Sequence, residues 1–403
     1  MQPLIITQYF HPEPTGSAPP VSDFARWLAE HGKAPKVVTA RPSYPNRFVF
    51  EGYRRGERDC ETWEGVAVRR LPSFVSQSSG LFGRLISEGS FFLSLVFHRL
   101  WGSKSDAVVC VCPSIFMALV APLFVSSDGR LLVIVHDIQS GLGRATGAPD
   151  AAMRILERLE RVALNNADAI VTLSSGMEDA LRARGVTTPI EILPPQIDVN
   201  QFTVSPDPDT GIALYSGAMG RKQGLHQILD AAEILQSRGS RVRFIIRGEG
   251  GVKEELVRST IDRGLNNLTF EPLAPQNELA KAMALGSVHL VPQAADGADF
   301  AVPSKAYSIM ASGRMFLATA SPASPLALLA EESRAGICVP PDEPKQLADT
   351  LEMLIGDKAI RQRFAHNGRS FVEKNVDRSV ICRKIWSTLK TGSPYEFDEC
   401  DEC

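Results

Sequence analysis

Several things are scarce in this 403-residue chain, and each scarcity removes a class of function. No apolar run approaches the roughly 20 residues of a membrane-spanning helix; SFFLSLVF, the most apolar stretch, is far shorter. The seven cysteines, at 60, 110, 112, 338, 382, 400 and 403, are odd in number and have no framework spacing, which fits a reducing compartment. Basic residues do not exceed acidic ones, and the net charge of −3 gives no reason to expect a nucleic-acid partner. The amino terminus, MQPLIITQYF, enters a strand with neither a basic region nor a cleavage site, so no signal peptide is expected. There is no G-x-G-x-x-G dinucleotide fingerprint, no Gly-Lys-Ser/Thr P-loop and no Gly-x-Ser-x-Gly nucleophile elbow. No His/Cys cluster marks a metal site, so no metal or cofactor is expected.

What remains is alternation. LIITQYF (4–10), KVVTA (36–40), VAVRRL (66–71), AVVCVC (107–112), LLVIVHD (131–137), AIVTLS (169–174) and IEILP (190–194) read as strands, with helical periodicity between them. Continuous Val/Ile/Leu runs alternating with helices indicate an α/β fold, its parallel sheet covered on both faces. A proline- and aspartate-rich break precedes GIALYSG, VRFIIRG, LTFEPL, SVHLVP, RMFLATA and GICVPP, which restart the pattern. The expected organisation is a domain at 1–195, a linker at 196–210 and a second domain at 211–375. A helix at 376–392 is expected to cross back to the first domain, and the acidic tail at 393–403 to be disordered. Two doubly wound units place ligands at the carboxyl ends of their strands.

Four strand-to-helix corners of the second half can hold an anion: YSGAMGRKQG (215–224), RGEGG (247–251), residues 293–297, and VPSK (302–305) opening AYSIMASG. Glycines allow backbone amides close to a phosphate, helix amino termini add partial positive charge, and Arg221, Lys222 and Lys305 supply cations. One such turn is weak evidence, since glycine corners also close turns for steric reasons alone; four in one domain are more specific. In the first half, HPEPTGSA (11–18) forms a proline-stiffened corner, and VIVHDIQSGLG places His136 and Asp137 at a strand end. His136 there either meets a substrate hydroxyl or is a satisfied edge residue. Glu249 either bonds a ribose or caps the helix after it.

These features together resemble a GT-B glycosyltransferase of the retaining family 4: two doubly wound Rossmann-like domains facing a central cleft. The resemblance spans nearly the whole chain. QYFHPEPTGSAPPVSDFARWLAEHGKAPKVVTARPSYP is similar to the family's opening, and LSSGMEDALRARGV with IEILPPQIDVNQF to its interdomain segment. YSGAMGRKQGLHQILDAA, FIIRGEGG and VPSKAYSIMASGRMFLATA are similar to its donor corners, in versions nearest to bacterial O-antigen and capsule enzymes, fucosamine transferases included. The resemblance implies a nucleotide-sugar donor on the second domain. Lys222 meets the diphosphate, Arg221 stands beside it, and the amides of Gly217, Ser304 and Lys305 cradle it, with Lys305 a second cation. Base and ribose lie near Gly248, Glu249, Pro272 and Leu273. From the first domain Gly16 approaches the diphosphate, while His136 and Asp137 face the sugar. It implies transfer of a hexosyl or N-acetylhexosaminyl group, from UDP more than GDP, to a glycan or lipid-linked acceptor in surface-polysaccharide assembly. Two departures stand out. Phe300 and Ser308 occupy the places of two family glutamates, which implies ribose recognition reorganised around Ser304 and Lys305. Ala218 stands where relatives carry Arg or Asn.

SGLFGRLISEGSFFLSLVFHRLWGSK (79–104) has apolar residues at helical spacing, flanked by Arg84, His98, Arg99 and Lys104. It is either an interfacial helix, implying peripheral contact with the inner face of the cytoplasmic membrane, or a helix packed on the sheet. Arg54, Arg55, Arg58, Arg69 and Arg70 read as a solvated basic face. Cys110 and Cys112 read as core, and Cys400-x-x-Cys403 as a tail feature. Outside the resemblance, three other functions share this architecture: a UDP-sugar 2-epimerase, a catalytically silent nucleotide-sugar binder and a nicotinamide oxidoreductase. The missing fingerprint argues against the last.

Overall fold

The computed structural model describes residues 2–395 except 15, 78–80, 113–114, 137, 139–149, 276–277 and 296–301. The chain forms two compact units: everything up to Pro194 joined by the stretch from Arg378 onward, and Pro195–Asp377.

The first unit is built on eight strands: β1 (Pro3–Ile6), β2 (Lys36–Ala40), β3 (Cys60–Trp63), β4 (Val66–Leu71), β5 (Ser105–Cys112), β6 (Val125–Val135), β7 (Ala169–Thr172) and β8 (Ile190–Ile192). They lie in the order β3-β4-β2-β1-β5-β6-β7-β8. Because side chains alternate across a sheet, Leu4 and Ile6 enter one core while Ile5 enters the other. The helices Leu81–Trp101, Ile115–Val120, Asp150–Asn165 and Ser175–Ala183 cover the first face. Ala18–Glu30 covers the opposite face together with Arg378–Thr391, which buries Ile381, Ile385, Trp386 and Leu389 there.

All neighbours in this sheet are parallel except β3 and β4. The pure parallel pattern expected from the sequence misses β3. Its residues, CETW, have no apolar run, and its hairpin turn is Glu64-Gly65, both at positive φ, where Asn-Gly would have announced it. β1 is also shorter than the apolar run suggests: it ends at Ile6, and the run continues as loop.

The second unit has β9 (Ile212–Ser216), β10 (Arg243–Arg247), β11 (Leu268–Glu271), β12 (Val288–Pro292), β13 (Phe316–Thr319) and β14 (Gly336–Val339), in the order β11-β10-β9-β12-β13-β14. Every pair is parallel. In chain order this is third, second, first, fourth, fifth, sixth, so the winding reverses between β9 and β12, where doubly wound sheets open a crevice.

Residues 196–210 do not hang free. Ile197 N donates to Val376 O at 3.0 Å, and Arg369 reaches the carbonyls of Val199 and Phe202. Arg314 bonds Ser205 and Pro206, and the buried Arg361 pairs with Asp207 at 2.8 Å and Asp209 at 2.6 Å. This segment is strapped along the second unit by three arginines.

Candidate active site

At the reversal point of the second unit, β9 runs into the glycine turn, whose backbone is bound to the next corner. Gly217 N donates to Arg247 O at 2.9 Å, and Met219 N to Glu249 O at 2.8 Å. A Cβ on Gly248 would stand 1.9 Å from Gly217 O, and one on Gly250 2.2 Å from Met219 O. These two glycines are therefore required by the packing of one loop's backbone on the other. The sequence reading left open whether such glycines admit an anion or close a turn sterically; for these two the steric need is met by the loop contact.

The same turn is hooked to the loop after β12. Ala294 N donates to Lys222 O at 2.9 Å, and Gln227 Nε2 bridges Gly224 O and Gln293 O. Gly224, at φ 56°, lies so close that a Cβ would meet Ala294 N at 3.0 Å. Gln227 is buried, and its signal in the sequence was a glutamine on the inward side of an otherwise apolar helix. Gln293 is buried too, and its Oε1 has no partner among the described residues.

Lys305 is the second residue of the helix Ser304–Ala311. Its Nζ lies 4.1 Å from the centroid of the Tyr215 ring, and a Cβ on Gly217 would meet it at 2.9 Å. No hydrogen bond or ion pair joins that ammonium to a described residue. Burial pushes its pKa down to about 8. Burial pushes the Tyr215 phenol up, and its hydroxyl donates to Ala218 O at 2.5 Å. A cation withdrawn from water and left without a counter-charge favours an arriving anion. Tyr215, which closes this arrangement, was missed because it reads as one more apolar strand residue.

The other sequence candidates fall around this centre. Arg221 and Lys222 are exposed on a single 3-10 turn, Arg221–Gln223. The Glu249 carboxylate is exposed and pairs with Lys253 at 2.6 Å. Gly248 N donates to Glu271 O, which places it beside Pro272 and Leu273 at the end of β11; the Leu273 side chain is half exposed. Ser304 is exposed at the head of its helix, and Ser308 Oγ donates to Ser304 O at 3.4 Å. Ala218 is exposed. Phe300 lies outside the described residues.

In the first unit the corner after β1 is fixed by a residue that the sequence reading passed over. Glu13 is buried, and its two carboxylate oxygens accept from Phe10 N, Ser43 N and Tyr44 N at 2.8–3.0 Å. It ties the loop after β1 to the loop after β2. Burial raises its pKa, and these hydrogen bonds oppose the rise. Arg70, expected on a solvated face, is buried instead: it binds Glu61 at 2.5 Å and donates to His11 O at 2.7 Å. Its neighbour in sequence, Arg69, does point outward, as alternation in β4 requires. Gly16 sits at φ 72°, a conformation that favours glycine, 3.8 Å (measured from its notional Cβ) from the Tyr44 ring. Next to it, Ser17 Oγ is buried without a partner among the described residues, as are Gln8 Oε1 and Thr172 Oγ1 at other strand ends of this unit. His136 follows β6 directly, and burial takes its pKa to about 4, so it is neutral at neutral pH. Asp137 lies outside the described residues. Among the described residues no group of three or more His, Cys, Asp or Glu could hold a metal ion, and no helix is long and apolar enough to cross a membrane.

Two family models match adjoining stretches of this chain: the glycosyl transferase 4-like domain over residues 15–196 and glycosyl transferases group 1 over residues 197–371. WcaI of Escherichia coli (strain K12), named as a colanic acid biosynthesis glycosyl transferase, is 30% identical over 424 residues, covering 97% of this chain and 100% of that protein. The chain is a family 4 glycosyltransferase. Solved structures place this glycosyltransferase in the GT-B fold of two Rossmann-like domains. Sucrose-phosphate synthase of Thermosynechococcus elongatus superposes with a TM-score of 0.70 at 18% identity, over 97% of this chain and 98% of that one. Anabaena HepE, solved in complex with UDP and glucose, superposes at 0.64 with 16% identity, over 97% and 100%.

Proposed function

We propose that this glycosyltransferase moves a hexosyl or N-acetylhexosaminyl group from a nucleotide-diphosphate sugar, UDP in preference to GDP. The acceptor is a glycan or lipid-linked glycan of bacterial surface-polysaccharide assembly, and the anomeric configuration is retained. The observation that carries the donor assignment is Lys305: a half-buried ammonium without a described partner, at a helix amino terminus, against the glycine turn of a doubly wound unit. The names of WcaI and of the HepE complex support the polysaccharide role and the UDP donor.

In this reading Lys305 and Lys222 neutralise the diphosphate as its bond to the sugar breaks, with Arg221 alongside and the amides of Gly217, Ser304 and Lys305 as donors. The apolar wall at Pro272 and Leu273 takes the base, and Gly248 and Glu249 line the ribose. The acceptor hydroxyl attacks the anomeric carbon on the face that the diphosphate leaves, and its proton passes to the departing diphosphate oxygen. The protein contributes charge stabilisation and position and needs no metal. Gly16 approaches the diphosphate, while neutral His136 and Asp137 hydrogen-bond the sugar. The work is done peripherally at the inner face of the cytoplasmic membrane.

Thermal shift across a panel of UDP- and GDP-sugars tests the donor. At about 100 times its dissociation constant a true donor adds about 2.7 kcal/mol of stability. No stabilisation by any nucleotide sugar would end the proposal. Release of UDP only when acceptor is present separates transfer from epimerisation.

A further inference from the structure

The corner after β12 takes no part in the donor contacts proposed above, yet its first residue, Gln293, is fixed from several directions. Its backbone N donates to Thr319 O at 2.8 Å, and its backbone O accepts from Thr319 Oγ1 at 3.2 Å and from Gln227 Nε2 at 3.1 Å. Gln227 Nε2 also donates to Gly224 O at 3.1 Å, and its Oε1 accepts from Asp342 N at 2.9 Å. The loops after β9, β12 and β14 therefore meet at one buried glutamine, and Ala294 N to Lys222 O, at 2.9 Å, closes the same joint. Held in this way, Gln293 has a fixed place beside the glycine turn.

Alternation along β12 gives the direction of its side chain. Leu290 enters the core shared with the helix His226–Ser237, and Val291 enters the opposite core, shared with the helix Ser304–Ala311. The bond from Gln293 N to Thr319 O continues the parallel ladder one step past Pro292 and Thr319. Gln293 accordingly falls on the Val291 face, beside Ala320 of the same core and toward the end of the sheet that Lys305 reaches. It is 5% exposed, and its Oε1 has no hydrogen-bond partner among the described residues. A buried acceptor left unpaired is destabilising, and an apolar side chain of the same length would fill the space without that cost. At the edge of a ligand crevice, a ligand that supplies the missing donor accounts for the glutamine.

Sheet order decides which part of the donor this is. In the order β11-β10-β9-β12, the proposed function puts base and ribose at the ends of β11 and β10 and the diphosphate at the β9 turn. The next strand beyond the diphosphate is β12, so the transferred sugar comes to Gln293. Diphosphate oxygens are acceptors and cannot satisfy another acceptor, whereas a sugar O–H or an acetamido N–H can. We propose that Gln293 reads the transferred sugar: its Oε1 accepts from one hydroxyl or acetamido N–H and favours sugars that present a donor there. Gln293 is then a specificity-determining residue, and Gln227 is the positioning residue that holds its backbone. This deepens the donor reading and rests on it.

The test is calorimetric titration of wild type and Gln293→Met with UDP, UDP-glucose, UDP-galactose and the two corresponding UDP-N-acetylhexosamines. For the sugar that wild type binds best, analogues lacking one hydroxyl or the acetamido group follow. Gln293→Met should keep its affinity for UDP within about twofold and lose about tenfold for that UDP-sugar. Removing one particular sugar group should cost wild type about tenfold and cost Gln293→Met nothing, which couples that group to the residue. The melting temperature of the unliganded variant should not fall, because methionine keeps the volume and removes the unpaired acceptor. Gln293→Leu repeats the measurement with a second apolar side chain. The inference is overturned if both variants lose UDP and UDP-sugar affinity equally, which would make Gln293 a prop of its loop. It is overturned as well if they bind every UDP-sugar as wild type does, or if no analogue couples to the substitution. Each of these results leaves the donor reading standing, whereas a wild type that binds no nucleotide ends that reading and this inference together.

Discussion

The ammonium of Lys305 rests 4.1 Å from the centre of the Tyr215 ring, and no described residue offers it a carboxylate. The ring face gives a modest attraction but cannot replace a counter-charge. Burial accordingly lowers the pKa of Lys305 to about 8, from 10.5 in the unfolded chain. Between these values the unfolded chain binds more protons, so this group's cost is fully present below pH 8 and is relieved as pH rises toward 10.5. Lys305→Met should therefore stabilise the unliganded protein at pH 7, by roughly 1–2 kcal/mol after allowance for residual solvent. The same change should weaken UDP binding at least tenfold. In wild type, donor affinity should fall as pH rises through 8, because a diphosphate prefers the protonated lysine. Calorimetric titration across that range checks both effects; a flat profile would detach Lys305 from the anion.

Gly248 and Gly217 have unequal room. A methyl group on Gly248 meets the carbonyl oxygen of Gly217 at 1.9 Å, where only backbone movement can relieve it. A methyl group on Gly217 meets the end of the Lys305 side chain, which can swing away. Gly248→Ala should thus part the two loops, at a cost of about 1–3 kcal/mol, and abolish donor binding. Gly217→Ala should be milder in melting temperature yet still impair UDP affinity, because it displaces the cation. A reversed order of stability between the two variants would contradict this account of the loop contact.

Glu13 uses both carboxylate oxygens to hold three amides from two loops. A glutamine keeps the shape but turns an N–H₂ group toward one of those N–H donors. Glu13→Gln should cost about 1–3 kcal/mol, seen as a lower urea midpoint with unchanged slope, and Glu13→Ala should cost more. Because the corner with Gly16 is held by this residue, turnover should fall further than UDP affinity, which the proposed function assigns to the other unit. Equal losses in both would place Gly16 outside the reaction.

How far these features could be read in advance follows from what side-chain patterns encode. Continuous apolar runs such as SVHLVP and AVVCVC revealed the parallel strands, because burial on both faces leaves few polar residues in them. The hairpin strand β3 was invisible because an edge strand such as CETW buries little. The glycine turn was conspicuous, but its most important neighbour, Tyr215, has a sequence no different from core. Glu13 and Arg70 were misjudged or passed over for one reason. A charged residue looks solvated in a sequence, and only tertiary contacts, here backbone amides for one and Glu61 with His11 O for the other, make its burial tolerable. Likewise 196–210 has the composition of a free linker. Its aspartates turn out to be the partners of a buried arginine more than 150 residues away in sequence.

That arginine supports the last prediction. Arg361 is 1% exposed, pairs with Asp207 and Asp209, and donates from Nη1 to the carbonyls of Leu354 and Ile355. Its guanidinium fastens the 205–209 segment to the helix Lys358–Asn375 and to the end of the helix before it. Removing one partner of a buried pair strands the other's charge, which typically costs about 3–5 kcal/mol. Arg361→Met should lose an amount at the lower end of that range, since Asp209 is half exposed and can turn to water. Asp207→Asn in the Arg361→Met background should recover part of the loss, because Asp207 then no longer carries an unpaired charge. Arg314 hydrogen-bonds Ser205 and Pro206 through neutral groups and feels the Asp207 charge without pairing with it, so the recovery should be smaller when Asp207→Asn is added to Arg314→Met. Urea unfolding of these four variants and of Asp207→Asn alone measures the coupling. Additive losses in the Arg361 cycle would mean that the segment is held by its backbone contacts and that the ion pair is incidental.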